Sequence, residues 1–136
     1  MEISPSDIAD RYTIVRLKIE MTKNNMFRKE YDALEKEIKS LKKRGLLKSA
    51  WISELYSINS KIWVLEGQIG DLASKKPNFR KIGTLAMEAR KLNSKRTDIK
   101  CKISKAIRQG FLDEKMFYAI HKKHPSKHYA RALPSP

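Results

Sequence analysis

Three polar side chains stand in this chain where a hydrophobic repeat calls for apolar ones. From Ile52 the core-type positions run Ile52, Leu55, Asn59, Ile62, Glu66, Ile69 and Ala73, and from Ile82 they run Ile82, Leu85, Ala89, Leu92, Arg96, Ile99, Ile103 and Ala106. The alternation of three and four residues sets one stripe on one side of each helix. Such a stripe is meant for burial, and a buried charge is costly unless it is paired or put to use. Asn59, Glu66 and Arg96 therefore mark the place to look for chemistry.

Neighbouring turns enlarge the cluster. Asn59, Trp63 and Glu66 share a helix side at i, i+4 and i+7, and Arg90, Asn93, Arg96 and Lys100 form a polar ladder on the following helix. Asp10, Thr13, Leu17 and Glu20 align in the same way near the N-terminus. Three such ladders can meet in one water-poor site, with Glu20 and Glu66 as acids and Arg96, Asn59 and Asn93 as donors. Two readings stay open at this point. One is a buried ion-pair network that fixes helix register; the other is a ligand pocket.

Other constellations carry less. Carboxylates at i and i+3 on one helix side can share a hydrated Mg²⁺, as in all-α nucleotide pyrophosphohydrolases, and Asp7/Asp10 and Asp32/Glu35 have that spacing. Helix capping accounts for the first pair and a lysine-rich surface for the second. Glu20 and Glu66 lack an acid at i±3, so the paired Glu-x-x-Glu and Glu-x-x-Asp pattern of those enzymes is missing. His121, His124 and His128 would suit Zn²⁺ only on a helix, and Pro125 sits among them. There is no Gly-rich phosphate loop, no hydrolase triad with recognisable flanks and no zinc-finger spacing. Neither a catalytic residue, a metal nor a cofactor is expected.

The elements that must position the cluster are helices. Five Gly and five Pro in 136 residues, with Leu, Ile, Lys, Glu and Ala abundant, favour long helices over a many-turned sheet. Ser4-Pro5-Ser6-Asp7 is a helix start, and Ile8, Tyr12, Val15 and Ile19 together with Ile14, Leu17 and Met21 give that helix two apolar faces. Asn24-Asn25 kinks or ends it, Phe27 to Leu41 resumes the stripe, and Gly45 reads as a C-terminal cap. The second long helix runs from about 48 to 74 and the third from about 79 to 109, where Gly110 stops it. A short turn makes those two antiparallel neighbours, with facing residue numbers summing to about 155. Asn59 then lies opposite Arg96, Ile62 opposite Leu92 and Glu66 opposite Ala89. Gly67 and Gly70 inside the second helix suggest a close backbone approach or a bend. The expected architecture is all-α: an antiparallel bundle of three long helices plus a short C-terminal helix over 113–120, filling residues 1–120, and a basic, flexible tail at 121–136.

Charge sets the class of partner. The formal charge is +15, and ten of the 30 Lys and Arg residues fall in 77–109 against two acids there. A stripe of this sign attracts polyanions. Lys91, Lys95, Lys102, Lys105 and Arg108, with Lys122, Lys123, Lys127 and Arg131 in the tail, are the candidate contacts to phosphates or acidic side chains. A lone Cys101 permits no internal disulfide and reads as packing, and no apolar run reaches the roughly 20 residues of a membrane span. With no signal-peptide pattern at the N-terminus, a cytoplasmic setting is expected, and a homo-oligomer is compatible with the stripes.

Asp10-Arg11-Tyr12-Thr13-Ile14 with Lys18 and Glu20, then Leu55 through Asn59, Ile62-Trp63 and Glu66, then Arg90, Asn93, Arg96 and Lys100, resemble the motifs of a family of small all-helical proteins of bacteria and phages. Gly70 departs from that pattern, which has a basic residue near the end of the tryptophan motif. The family brings no activity to transfer. The resemblance implies that the interrupting polar residues are a shared feature and, for a phage protein, that a host-directed regulator is the natural role. The expected function is thus a non-enzymatic helical protein engaging nucleic acid, a nucleic-acid-handling complex or another acidic surface. An oligomerising protein-interaction bundle and a Mg²⁺-dependent nucleotide pyrophosphohydrolase are the alternatives.

Overall fold

A computed structural model describes residues 4–75 and 77–121, the last as backbone alone. All the described regular structure is helical: α1 (Pro5–Thr22), a 3₁₀ turn (Asn25–Phe27), α2 (Arg28–Lys43), α3 (Ser49–Ser74) and α4 (Phe79–His121). The predicted tail residues Lys122, Lys123, Lys127 and Arg131, and His124 and His128, lie outside the described residues.

Local chemistry fixes the helix ends. Ser4 caps α1 by accepting from the Asp7 amide, Pro5 fills the first turn, and the helix stops at Lys23, whose φ of 53° is left-handed. Asn24 then accepts from the Met26 amide and starts the 3₁₀ turn, so the Asn pair ends the helix rather than kinking it. At the end of α2, Gly45 adopts φ 73°, its amide bonds Lys42 O at 3.0 Å and the Leu46 amide bonds Leu41 O at 2.9 Å. These two bonds form a Schellman motif, which needs a residue tolerant of positive φ at Gly45. Asn78 caps α4 through the Lys81 amide.

The expected first long helix is therefore two helices, α1 and α2. The expected short C-terminal helix does not exist separately, because α4 continues through Gly110 without a break. One Gly costs a helix interior about 1 kcal/mol, which the turns on either side can absorb.

Packing follows from the stripes, with one shift. On α3 the stripe turned to the core is Trp51, Leu55, Ile58, Ile62, Leu65, Ile69 and Leu72, with Ile52 and Trp63 half-buried beside it. That is a three-and-four repeat entered one residue before Ile52. It carries Leu65 inward, leaves Glu66 exposed, and keeps Asn59 buried at the edge. On α4 the predicted stripe holds from Ile82 to Ile103 and then shifts to Ile107, while Ala106 is exposed. Leu55 and Ile103 are fully buried and share a core with Ala9 of α1, Ile38 and Leu41 of α2, Leu47, Trp51 and Ile99. Burying a side chain of the Leu or Ile class stabilises by roughly 1.5–3 kcal/mol, so this cluster dominates the fold's cohesion.

α1 touches each of the other three helices, as its two apolar faces require. The α3–α4 pair is the most extensive contact, and Lys102 meets Glu54 across it at 3.5 Å, close to the predicted register. No close backbone approach explains Gly67, Gly70 or Gly83, since a Cβ at any of them would meet nothing within 4 Å.

Candidate functional site: a buried polar node and a basic helix face

The interior polar site is built around Asp10. Its side chain is 7% exposed and faces α3 and α4 together. The Asn59 amide nitrogen donates to Asp10 Oδ1 at 3.0 Å and to Thr13 Oγ1 at 2.8 Å. Thr13 in turn donates to the Asp10 carbonyl at 2.8 Å. Arg96 reaches in from α4, with Nη2 at 2.9 Å and Nε at 3.2 Å from Asp10 Oδ2, and its Nη1 donates to Asn93 Oδ1 at 3.3 Å. Lys100 lies one turn further along, 2.8 Å from Asp7 Oδ1 and 3.9 Å from Asp10 Oδ2. The bond to Lys100, aided by the Ser4 hydroxyl, holds the Asp7 carboxyl below the usual carboxylate range.

Asn59, Asn93, Arg96 and Lys100 thus come together as expected, but their acid is different. Glu66 is exposed and makes no hydrogen bond or ion pair among the described residues. The one-residue shift of the α3 stripe moves it off the core side, so it does not face Ala89 or approach Arg96. Arg90 is likewise exposed and outside the node, and half-buried Trp63 has no polar contact with it. Glu20 belongs to a separate cluster, accepting from Tyr56 Oη at 2.7 Å and Arg16 Nε at 2.8 Å while the Arg16 guanidinium stacks 4.4 Å from the Tyr56 ring. Hydrogen bonding to Glu20, with burial, raises the Tyr56 pKa.

The sequence places Asp10 in the first-helix ladder but points to Glu20 and Glu66 as the acids, because the position of Asp10 near a helix start suggests capping. The signal that could have found it is its distance from Ser4: position 10 lies beyond the first turn, where the dipole's benefit has faded. Every buried side-chain N and O atom among the described residues has a partner. A network of this kind ties α1, α3 and α4 to one another, while the Arg96 side chain stays 30% exposed at its outer end.

The outer side of α4 is different. At about 100° per residue, Lys91, Lys95, Lys102 and Lys105 share one face, with Asp98 among them. All four are exposed, and only Lys102 has an acid partner among the described residues, the half-exposed Glu54. Arg108 is exposed beside them. Cys101, expected to be packing, is exposed as well.

Among the described residues no three His, Cys, Asp or Glu side chains gather as metal ligands would, and no helix is long and apolar enough to cross a membrane. Three of the four acids considered for Mg²⁺ are otherwise engaged: Asp7 holds Lys100, Asp10 holds Arg96 and Asn59, and Asp32 pairs with Arg28 at 3.3 Å. The geometry defines an all-helical protein with a satisfied internal node and a cationic outer face. No protein-family model, curated protein or solved structure matches the chain.

Proposed function

We propose that this chain is a non-enzymatic, cytoplasmic helical protein that binds the phosphate backbone of nucleic acid through the outer face of α4. One observation carries the reading: Lys91, Lys95 and Lys105 stand exposed on one face of a single helix without an acid partner among the described residues. Ion pairs consume free cations, and here they consume few. From Lys91 to Lys105 the stripe spans about 21 Å at 1.5 Å per residue, enough to follow several phosphates of one strand. Contacts of this kind give affinity without base discrimination. In this reading the helices form an antiparallel bundle, with α3 and α4 as its long hairpin, and the internal node keeps the cationic face presented outward. The resemblance to bacterial and phage helical proteins fits a host-directed regulator acting on a nucleic-acid-handling complex.

Fluorescence anisotropy with labelled single- and double-stranded DNA tests this. Affinity should fall linearly on a log-log plot as salt rises, and Lys91→Glu/Lys95→Glu/Lys102→Glu should weaken binding to all sequences alike and flatten that slope. Absence of binding at low salt would end the reading.

A second reading has its own support. Phe111, Leu112, Met116, Tyr118 and Ile120 are exposed near the end of α4, an apolar surface suited to a protein partner or a second copy. Sedimentation over a concentration series separates this reading from the first.

A further inference from the structure

The groove between the start of α1 and the flank of α4 holds about 360 Å³. That is near the lower end of small-ligand sites, with an open rim. Ser6, Lys100, Cys101, Ser104, Lys105 and Arg108 line it, and no acid is among its lining residues. We propose that this groove seats a phosphomonoester, the doubly charged terminal phosphate of a nucleic acid strand or nucleotide. The proposal rests on the anionic-partner reading and assigns it a specific end-binding site.

Charge is the first argument. Lys100 already spends its charge on Asp7 at 2.8 Å, which leaves Lys105 and Arg108 uncommitted among the described residues. Two free cations at i and i+3 on one helix match a dianion better than the single charge of a phosphodiester. The Arg108 guanidinium offers a planar fork for two phosphate oxygens, and the Lys105 ammonium offers a point charge beside it.

Hydroxyl placement is the second argument. Ser104 Oγ lies 3.2 Å from Ser6 Oγ, and Ser6 is 4% exposed at the groove's inner edge. Packing thus fixes a hydroxyl pair between the two helices, within the same groove as the cations. The start of α1 adds the partial positive charge of a helix N-terminus on the same side.

The third argument is continuity. Lys105 belongs both to the groove and to the lysine face that runs back to Lys91, so a strand whose terminal phosphate is held at the groove can lay its following phosphates along that face. The groove then recognises an end, and the stripe recognises a polymer.

Cys101 supplies the test, because it is the only cysteine, is exposed and lines the groove. Its alkylation by iodoacetamide in the full chain reports occupancy. A 5′-phosphorylated oligonucleotide should slow alkylation several-fold more than the same oligonucleotide with a 5′-hydroxyl, and AMP should protect where adenosine does not. Arg108→Gln should abolish both differences, and their survival in that variant would overturn the site. If both oligonucleotides bind but protect equally, and AMP matches adenosine, the end-binding site is wrong while polymer binding stands. If neither oligonucleotide binds yet AMP alone protects, the groove is a nucleotide site and the polymer reading fails. No protection by any phosphate overturns the groove.

Discussion

The Asp10 carboxylate and the Arg96 guanidinium, 86 positions apart in sequence, meet at 2.9 Å where α1 crosses α4. Asp10 is nearly closed off from water, whereas 30% of the Arg96 side chain remains exposed. The two ends of the pair therefore differ in what their loss would leave. Arg96→Met should destabilise by about 1–3 kcal/mol, because the carboxylate stays buried with only Asn59 and a distant Lys100 to hold it. Asp10→Asn/Arg96→Met should recover part of that. Urea denaturation of the four proteins in a double-mutant cycle should give a coupling of about 0.5–3 kcal/mol, and additivity would contradict the pairing.

Asn59 and Glu66 should behave in opposite ways. Asn59→Leu removes the donor to Asp10 Oδ1 and should cost about 1–3 kcal/mol. Glu66→Ala removes an exposed side chain and should change stability by no more than about 0.5 kcal/mol. Denaturant midpoints of the two variants decide the matter, and a large loss at Glu66 would place it back in the core.

That pair also shows how far the sequence could be read. The three-and-four spacing located α3 and the greater part of α4, and it marked Asn59 and Arg96 as residues that need partners. It did not settle which of two adjacent stripes was buried. With 3.6 residues per turn and a 3.5-residue repeat, Ile52-Leu55-Asn59 and Trp51-Leu55-Ile58 both fit locally. The bulk of Trp51 and Leu65 decides for the second, and Glu66 goes outside. Asp10 stands in one of the three ladders, but its place as the acid of the node was hidden for another reason: its partners lie 49 and 86 positions away, beyond any local pattern. Gly45 was legible because its cap is local, and Gly110 misled because a helix tolerates a glycine where its neighbours carry it.

Glycines inside α3 offer a gain in stability. Gly67→Ala and Gly70→Ala place a methyl group where nothing lies within 4 Å. Each should stabilise by about 0.5–1 kcal/mol by restricting the unfolded chain. A rise in the thermal midpoint for the double variant checks this, and a fall would mean that the helix needs its glycines to bend.

Tyr12 and Asp7 tie stability to pH at opposite ends of the scale. Tyr12 is pushed up to about 12 by burial and by its hydrogen bond with Tyr31, 3.2 Å away. A raised pKa favours the protonated form in the folded state, so this contribution is intact below about 10 and is lost as pH rises through 12. Tyr12→Phe should remove that part of the alkaline loss, measured by denaturant midpoints alongside phenolate absorbance. Asp7 works in the other direction: its lowered pKa gives stability present above the ordinary carboxylate range and lost as pH falls through the folded value. Lys100→Met should move the Asp7 titration upward in a carboxyl carbon NMR experiment.

Leu55→Ala, at a fully buried site, should cost about 2–5 kcal/mol, set by how far the core around Ile103 can collapse.

The length of α4 divides the molecule by rate as well as by shape. Ile103 is the last buried residue of α4 among those described, and 18 further described residues follow it to the helix end at His121. Among the described residues the final turns carry half-buried side chains at most, at Ile107, Glu114 and Phe117. Amide hydrogens from about Arg108 onward should exchange through local fraying, while those near Ile99 and Ile103 should wait for global unfolding. The arginine at the groove sits on the boundary between those two regimes, so whatever engages it would extend the slow-exchanging unit along the helix.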